Sequence, residues 1–148
     1  VGIVTGMVAG LATITPASGF VGPLGGLCIG LAGGVVCYLA VNIVKQRFNL
    51  DDSLDVFAVH GVGGVLGTLM VAVFALPSLG GVGLAEGVSV GSQLGVQATG
   101  VIAVLVLSVI ASFIILKITA AVTGLRADDD EITEGMDLAY HGEQDYNF

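Results

Sequence analysis

The stretch Asp51-Asp52-Ser53-Leu54-Asp55-Val56-Phe57-Ala58-Val59-His60-Gly61-Val62-Gly63-Gly64 carries three carboxylates into a run that becomes almost wholly apolar and contains a histidine. An ionisable side chain inside a bilayer span is costly, and its default reading is a pathway or a polar site. His60 is therefore the first candidate functional residue. The surrounding composition decides what kind of chain carries it. Of 148 residues, 55% are hydrophobic and 11% charged, with a mean hydropathy of +0.99, a balance foreign to a soluble domain. The chain reads as an all-α, polytopic membrane protein embedded in a lipid bilayer. It enters an apolar run at Val1 with neither an initiator Met nor the basic region of a signal peptide, so it is expected to be a piece of a longer polypeptide.

Working outward, four apolar segments appear. The first, Val1 to about Thr15, stops at Pro16-Ala17-Ser18-Gly19 and reads as the end of a span. The second, about Pro23 to Val44, has the length of ~20 residues that a crossing needs. The third, about Leu54 to Leu76, begins at the carboxylates and ends at Pro77. The fourth, about Gln93 to Thr123, exceeds one perpendicular crossing and must tilt or protrude. Residues 1–126 thus form about four transmembrane helices, the first incomplete, and 127–148 a tail.

Basic residues set the orientation. Lys45 and Arg47 follow the second span, Lys117 and Arg126 end the fourth, and the segment count puts all four on one side, which the positive-inside rule makes cytoplasmic. The loop from Pro77 to Ser92 is then external, with Glu86 as its one charge. The third span runs outward, with Asp51, Asp52 and Asp55 at its cytoplasmic end and His60 roughly 7.5 Å deeper on an α-helical rise. The tail is cytoplasmic. The net charge of −8 belongs mostly to it, since eight of the twelve acids lie between Asp128 and Asp145.

Glycine is abundant, 24 residues, and much of it recurs at four-residue spacing: Gly6 and Gly10, Gly26, Gly30 and Gly34, Gly63 and Gly67, Gly87, Gly91 and Gly95. Such spacing lets helix backbones approach closely inside lipid. Val56, Gly63, Gly64 and Gly67 are expected on the His60 face, leaving room for a partner helix or a narrow conduit.

Several functions are excluded or disfavoured. No basic patch points to nucleic acid. Gly61-Val62-Gly63-Gly64-Val65-Leu66 lacks the third glycine of a dinucleotide loop, and no phosphate loop, Ser/His/Asp or HExxH arrangement occurs. Nothing supports an enzyme, and no cofactor or metal site is expected. Cys28 and Cys37 are nine positions apart, half a turn out of phase on a helix, and read as small apolar residues that cannot pair with each other.

The run 51–64, with Gly10-Leu-Ala-Thr-Ile-Thr-Pro-Ala-Ser-Gly-Phe-Val before it, Ser78-Leu-Gly-Gly-Val-Gly after it and Glu134-Gly-Met-Asp-Leu-Ala-Tyr-His-Gly-Glu in the tail, resembles the C-terminal part of the ammonium transporter / methylammonium permease family. The resemblance covers nearly the whole chain, and four motifs in the right order carry it. It implies an eleven-helix, inverted-repeat, channel-like fold in the plasma membrane, assembled as a homotrimer with a pore in each monomer. It further implies that His60 is one of two paired pore histidines, that Asp52 is an inner pathway carboxylate, and that Thr15 lies near the outer site. The first histidine of the pair, the outer aromatic residues and the first-half aspartate have no positions in this chain.

Physical chemistry agrees with that implication. Ammonium is costly to desolvate in an apolar conduit while ammonia is not, and imidazole can separate the proton from the ammonia because its nitrogens donate and accept. The alternative reading of His60 is a core histidine bonded to a backbone carbonyl. For Asp51, Asp52 and Asp55 the alternative is capping of a helix start; Asp51 reads as that, whereas Asp52 and Asp55 carry both roles and stay pathway candidates. Thr15 could equally satisfy backbone groups freed by Pro16.

The tail is acidic and poor in branched apolar residues, a composition of disorder, yet Met136, Leu138, Tyr140 and Tyr146 offer anchors. The resemblance implies a regulatory tail, with Gly135, Asp137, His141, Gly142 and Tyr146 in it, that folds on the cytoplasmic loops. It also implies a P-II-type nitrogen signal protein as a partner at that face. The expected function is transmembrane transport of ammonium and methylammonium. The competing class is an ammonium-sensing receptor on the same scaffold. A sensor is expected to carry a signalling domain after its last span, and the chain runs 22 residues past Arg126.

Overall fold

Proline lacks the N–H that a helix interior uses and clashes with the preceding turn, but it is tolerated at a helix start. All three prolines of the chain sit at such boundaries. In the computed structural model, which describes residues 2–143, Pro16 follows α1 (Gly2–Ile14) inside a 3-10 turn, Thr15–Ala17. Pro23 opens α2 (Pro23–Asn42), and Pro77 opens a 3-10 turn after α3 (Val62–Phe74). The long α4 spans Val90–Val122, and the short α5 spans Asp129–Glu134. Among the described residues there is no strand, so the all-α expectation holds. Among the described residues three helices are long and apolar enough to cross a membrane: Pro23–Arg47, Phe57–Phe74 and Val90–Val122.

Two departures from the sequence reading lie at the ends of α2 and α3. Both helices are continued by wider π turns, Ile43–Arg47 after α2 and Phe57–Gly61 before α3. The third apolar segment does not become helical at Leu54. Asp55 takes a left-handed φ of 56°, which ends the loop and lets helical geometry begin at Val56. The regular α-helical rise assumed from Asp55 to His60 therefore does not apply, because the first residue is not helical and the rest lie in a π turn.

The chain divides into two compact units between Val104 and Leu105. In the first, α1, α2 and α3 pack along stripes of four-residue period: Ala9 and Thr13 of α1, continued by Ala17; Gly25, Ile29, Gly33 and Cys37 of α2; Gly63, Gly67 and Val71 of α3. Their meeting point is Thr13, fully buried, with its hydroxyl donating to the Ala9 carbonyl at 2.8 Å. A Cβ on Gly33 would collide with the Thr13 side chain, one on Gly63 would come within 2.9 Å of its Oγ1, and one on Gly67 would collide with its backbone carbonyl. Helix backbones approach here as closely as glycine allows, which is how dispersion replaces the missing hydrophobic drive in lipid.

The glycine register on α2 differs by one position from the sequence reading. The buried stripe runs through Gly25 and Gly33 rather than Gly26 and Gly34, although Gly10 does pass over Gly30. Likewise Gly63 and Gly67 face Thr13 and the core, not the His60 side. Cys37 is buried, Cys28 is half-buried, and both are free.

At the end where α1 gives way to α2 and α3 ends, the loops join. The Val82 N–H donates to the Phe20 carbonyl at 3.1 Å, and Gly83 N–H to the Ala75 carbonyl at 2.7 Å. A side chain on Gly22 would run into the Gly80 backbone, and one on Gly81 into that of Ala75. The second unit holds the remainder of α4, α5 and a π turn, Asp137–His141.

Candidate functional site

The π turn Phe57–Gly61 presents His60 to a groove that Cys37 does not border. Its imidazole is exposed and makes no hydrogen bond to another described residue. It opens onto a groove of about 340 Å³ whose other walls are Val8, Leu11, Ala12, Thr15 and Pro16 of the α1 end and Gly64 of α3. Among the described residues no backbone carbonyl accepts a hydrogen bond from His60. Gly64 is the one expected small neighbour that lines this groove. The structure thus brings His60 and Thr15 together. The Thr15 hydroxyl donates to the Leu11 carbonyl at 2.7 Å, which leaves its lone pairs as acceptors. The groove therefore offers one titratable group, one hydroxyl acceptor and aliphatic walls.

Asp52 and Asp55 are not among the residues lining that groove. Asp52 lies in the loop before α3 and its two carboxylate oxygens accept from the first free N–H groups of the helical segment, Val56 N–H at 2.8 Å and Phe57 N–H at 2.9 Å. That is a helix cap, favoured by the positive end of the macrodipole. Asp51 accepts from the Ser53 hydroxyl at 2.9 Å. Asp52→Ala is expected to destabilise the folded protein by about 1–2 kcal/mol and Asp52→Asn by less, since the amide keeps one acceptor. Thermal unfolding in detergent checks the order of the two.

Asp55 points toward α2. Its Oδ1 lies 2.8 Å from Lys45 Nζ as a close charge contact outside hydrogen-bond alignment. It borders a second groove, about 550 Å³, with Val59, Cys37 and Tyr38 among its walls. Sequence reasoning placed Lys45 only as an orientation signal. A basic residue in the last helical turn before a carboxylate-rich loop was the available clue to this pair.

The tail, taken by itself, is not a featureless chain. Asp128 and Glu131 form a capping box at α5, with the Asp128 N–H donating to Glu131 Oε2 at 3.0 Å. The same oxygen accepts from the Tyr140 hydroxyl at 2.7 Å, tying the Asp137–His141 turn to α5. Gly135 and Gly142 end these elements with φ of 100° and 65°, conformations that glycine adopts without steric cost. Asp137 starts the π turn and His141, exposed, ends it. Tyr146 lies outside the described residues. Among the described residues no cluster of three His, Cys, Asp or Glu could hold a metal ion.

The Tyr140 phenol is held above its ordinary value, first by its hydrogen bond to Glu131, then by desolvation and by the negative charges of Glu131 and Asp128. The neutral phenol is the bonded form. The contact is therefore complete below the ordinary tyrosine value of about 10 and is lost as pH rises through the higher folded value. Tyrosinate absorbance of the complete chain, wild type minus Tyr140→Phe, is expected to show this phenol titrating late; an ordinary titration would remove the contact from the folded tail.

Comparison with known proteins gives the family of the chain. The family model described as the Ammonium Transporter Family matches residues 1–146. An ammonium transporter of Aquifex aeolicus is 45% identical over 148 residues, covering 99% of this chain and 34% of the relative. One of Bacillus subtilis is 41% identical over 147 residues, covering 98% and 36%. A solved structure titled Sensor Amt Protein superposes with a TM-score of 0.83 at 36% identity, covering 95% of this chain and 34% of its own. The chain thus spans about a third of the length of the relatives it matches. A match from residue 1 to residue 146, together with the apolar spans and the superposed helices, makes the chain a member of the ammonium transporter family.

Proposed function

We propose that the polypeptide carrying this chain transports ammonium and methylammonium across the membrane, and that His60 handles the proton in a narrow apolar conduit to which the His60–Thr15 groove contributes. The observation that carries the reading is an exposed imidazole, free of hydrogen bonds to other described residues, set among aliphatic walls in a member of this family. Desolvating ammonium in such walls is prohibitive, whereas ammonia passes cheaply. A group that accepts the proton at the conduit and returns it beyond needs two nitrogens that can donate and accept, and imidazole has them. Thr15, its hydroxyl proton already engaged, offers lone pairs to an N–H of the cargo.

In this proposal the protein sits in the plasma membrane as a homotrimer, with Lys45, Arg47, Lys117, Arg126 and the tail on the cytoplasmic side. The folded tail is the receiving surface for a P-II-type signal protein. Asp52 serves the pathway indirectly, by fixing the helix start beneath His60.

The test is ammonium-evoked current in proteoliposomes containing the complete polypeptide. A saturable current with ammonium and methylammonium, and none with potassium, is the expected result. No current, with ammonium still altering protease access to the tail, would replace transport by sensing.

A further inference from the structure

The link between α2 and α3 holds an ion pair that no pathway role explains. Lys45 sits in the π turn that ends α2, and Asp55 is the last residue before the helical turn that carries His60. Their charges meet at 2.8 Å, with the lysine side chain 40% exposed and the aspartate 18%. Asp55 is also one of two non-glycine residues with positive φ among the described residues. L residues rarely adopt that conformation, and they keep it only where surrounding contacts over-determine it. Three contacts do so here. The Lys45 ammonium holds the side chain, the Asp55 carbonyl accepts from Val59 N–H at 2.8 Å, and Asp52 fixes the N–H groups of Val56 and Phe57.

We propose that Lys45 is a positioning residue for His60: by neutralising and anchoring Asp55 it sets where the π turn begins, and so the angle at which the imidazole enters the groove. The inference rests on the transport reading above. Asp55 is mostly buried, and a buried carboxylate deprived of its partner drives rearrangement to reach water. Five residues of continuous hydrogen-bonded turn carry that movement to His60. The Arg126–Asp129 pair is the opposite case, 3.6 Å apart with side chains 78% and 94% exposed. Solvent screens it, and little depends on it.

The experiment compares ammonium and potassium currents in proteoliposomes of the complete polypeptide, normalised to folded protein, for wild type, Lys45→Met, the double variant Lys45→Met/Asp55→Asn, and Arg126→Met. A misplacement of about 1 Å at a reacting group is worth up to about a hundredfold, so both Lys45 variants are expected to lose roughly tenfold or more in ammonium-over-potassium selectivity. Arg126→Met is expected to match wild type. The double variant buries no uncompensated charge and keeps the test open should Lys45→Met fail to fold. Wild-type selectivity in either folded Lys45 variant overturns the proposal; in the double variant alone it would show that the buried charge, not the anchor, mattered. Absence of ammonium current in the wild type would instead defeat the transport reading, and the positioning role that rests on it falls with it.

Discussion

Alanine at position 60 is expected to abolish ammonium-selective conduction while leaving the folded protein as stable as wild type. The imidazole is exposed in this chain and bonded to no other described residue, so its removal opens no cavity in the three-helix core and orphans no partner among the described residues. The unfolding midpoint should not move. Loss of a proton-handling group is worth about a hundredfold or more where proton transfer limits the step. The current should therefore fall by that order or give way to a potassium leak through the vacated groove. His60→Gln sharpens the test. Glutamine keeps a donor and an acceptor but does not titrate in the neutral range, so it should block ammonium as alanine does without admitting potassium. Undiminished ammonium current and selectivity in both variants would make His60 a packing residue.

Valine at position 67 is expected to prevent assembly of the three-helix unit. A Cβ there would overlap the carbonyl of Thr13, and the next atom in its way is again Thr13 backbone. No side-chain truncation can relieve a backbone clash, so α1 and α3 must separate. The cost exceeds about 4 kcal/mol, the range in which single substitutions become exceptional. Monodispersity after detergent extraction should collapse. Gly64→Ala is the internal comparison, since a Cβ there meets nothing within 4 Å. It should assemble normally, yet because Gly64 lines the His60 groove it should slow conduction. Normal assembly of Gly67→Val would mean that α1 and α3 do not cross at Thr13.

The apolar spans were legible because hydropathy and proline placement act locally: a run without charge has to be buried, and Pro16, Pro23 and Pro77 can sit only at boundaries. The histidine and Thr15 stood out as polar groups in apolar runs, though nothing in the sequence said that they share a groove. The π turns were not legible. Ile43–Arg47 and Phe57–Gly61 have ordinary helical composition, and no residue type in them distinguishes a π turn from a regular helix. The left-handed Asp55 was hidden for the same reason. On α2 the doublets Gly25-Gly26 and Gly33-Gly34 each offered two registers, and only tertiary neighbours choose between them, Thr13 at Gly33 and Phe74 with Val21 at Gly25. Thr13 itself carries no signal, since a threonine that returns its hydroxyl to its own helix looks like any other. In the tail, composition pointed to disorder, while Asp128-x-x-Glu131 was a readable capping box that overrode it locally.

The buried thiol of Cys37 has a use that its packing makes available. Its sulfur is 1% exposed as part of a core residue, 3.9 Å from the Thr13 hydroxyl and directed at the Val59 carbonyl 3.8 Å away. Although Cys37 borders the 550 Å³ groove, its residue is 1% exposed, so an alkylating reagent reaches the sulfur when the packing against Thr13 and Val59 loosens. Its labelling rate therefore counts openings of the packed node, while half-buried Cys28, on the same helix, registers only access to the outer face. The chain thus carries an internal clock for breathing motions and its own reference channel, with no engineered probe.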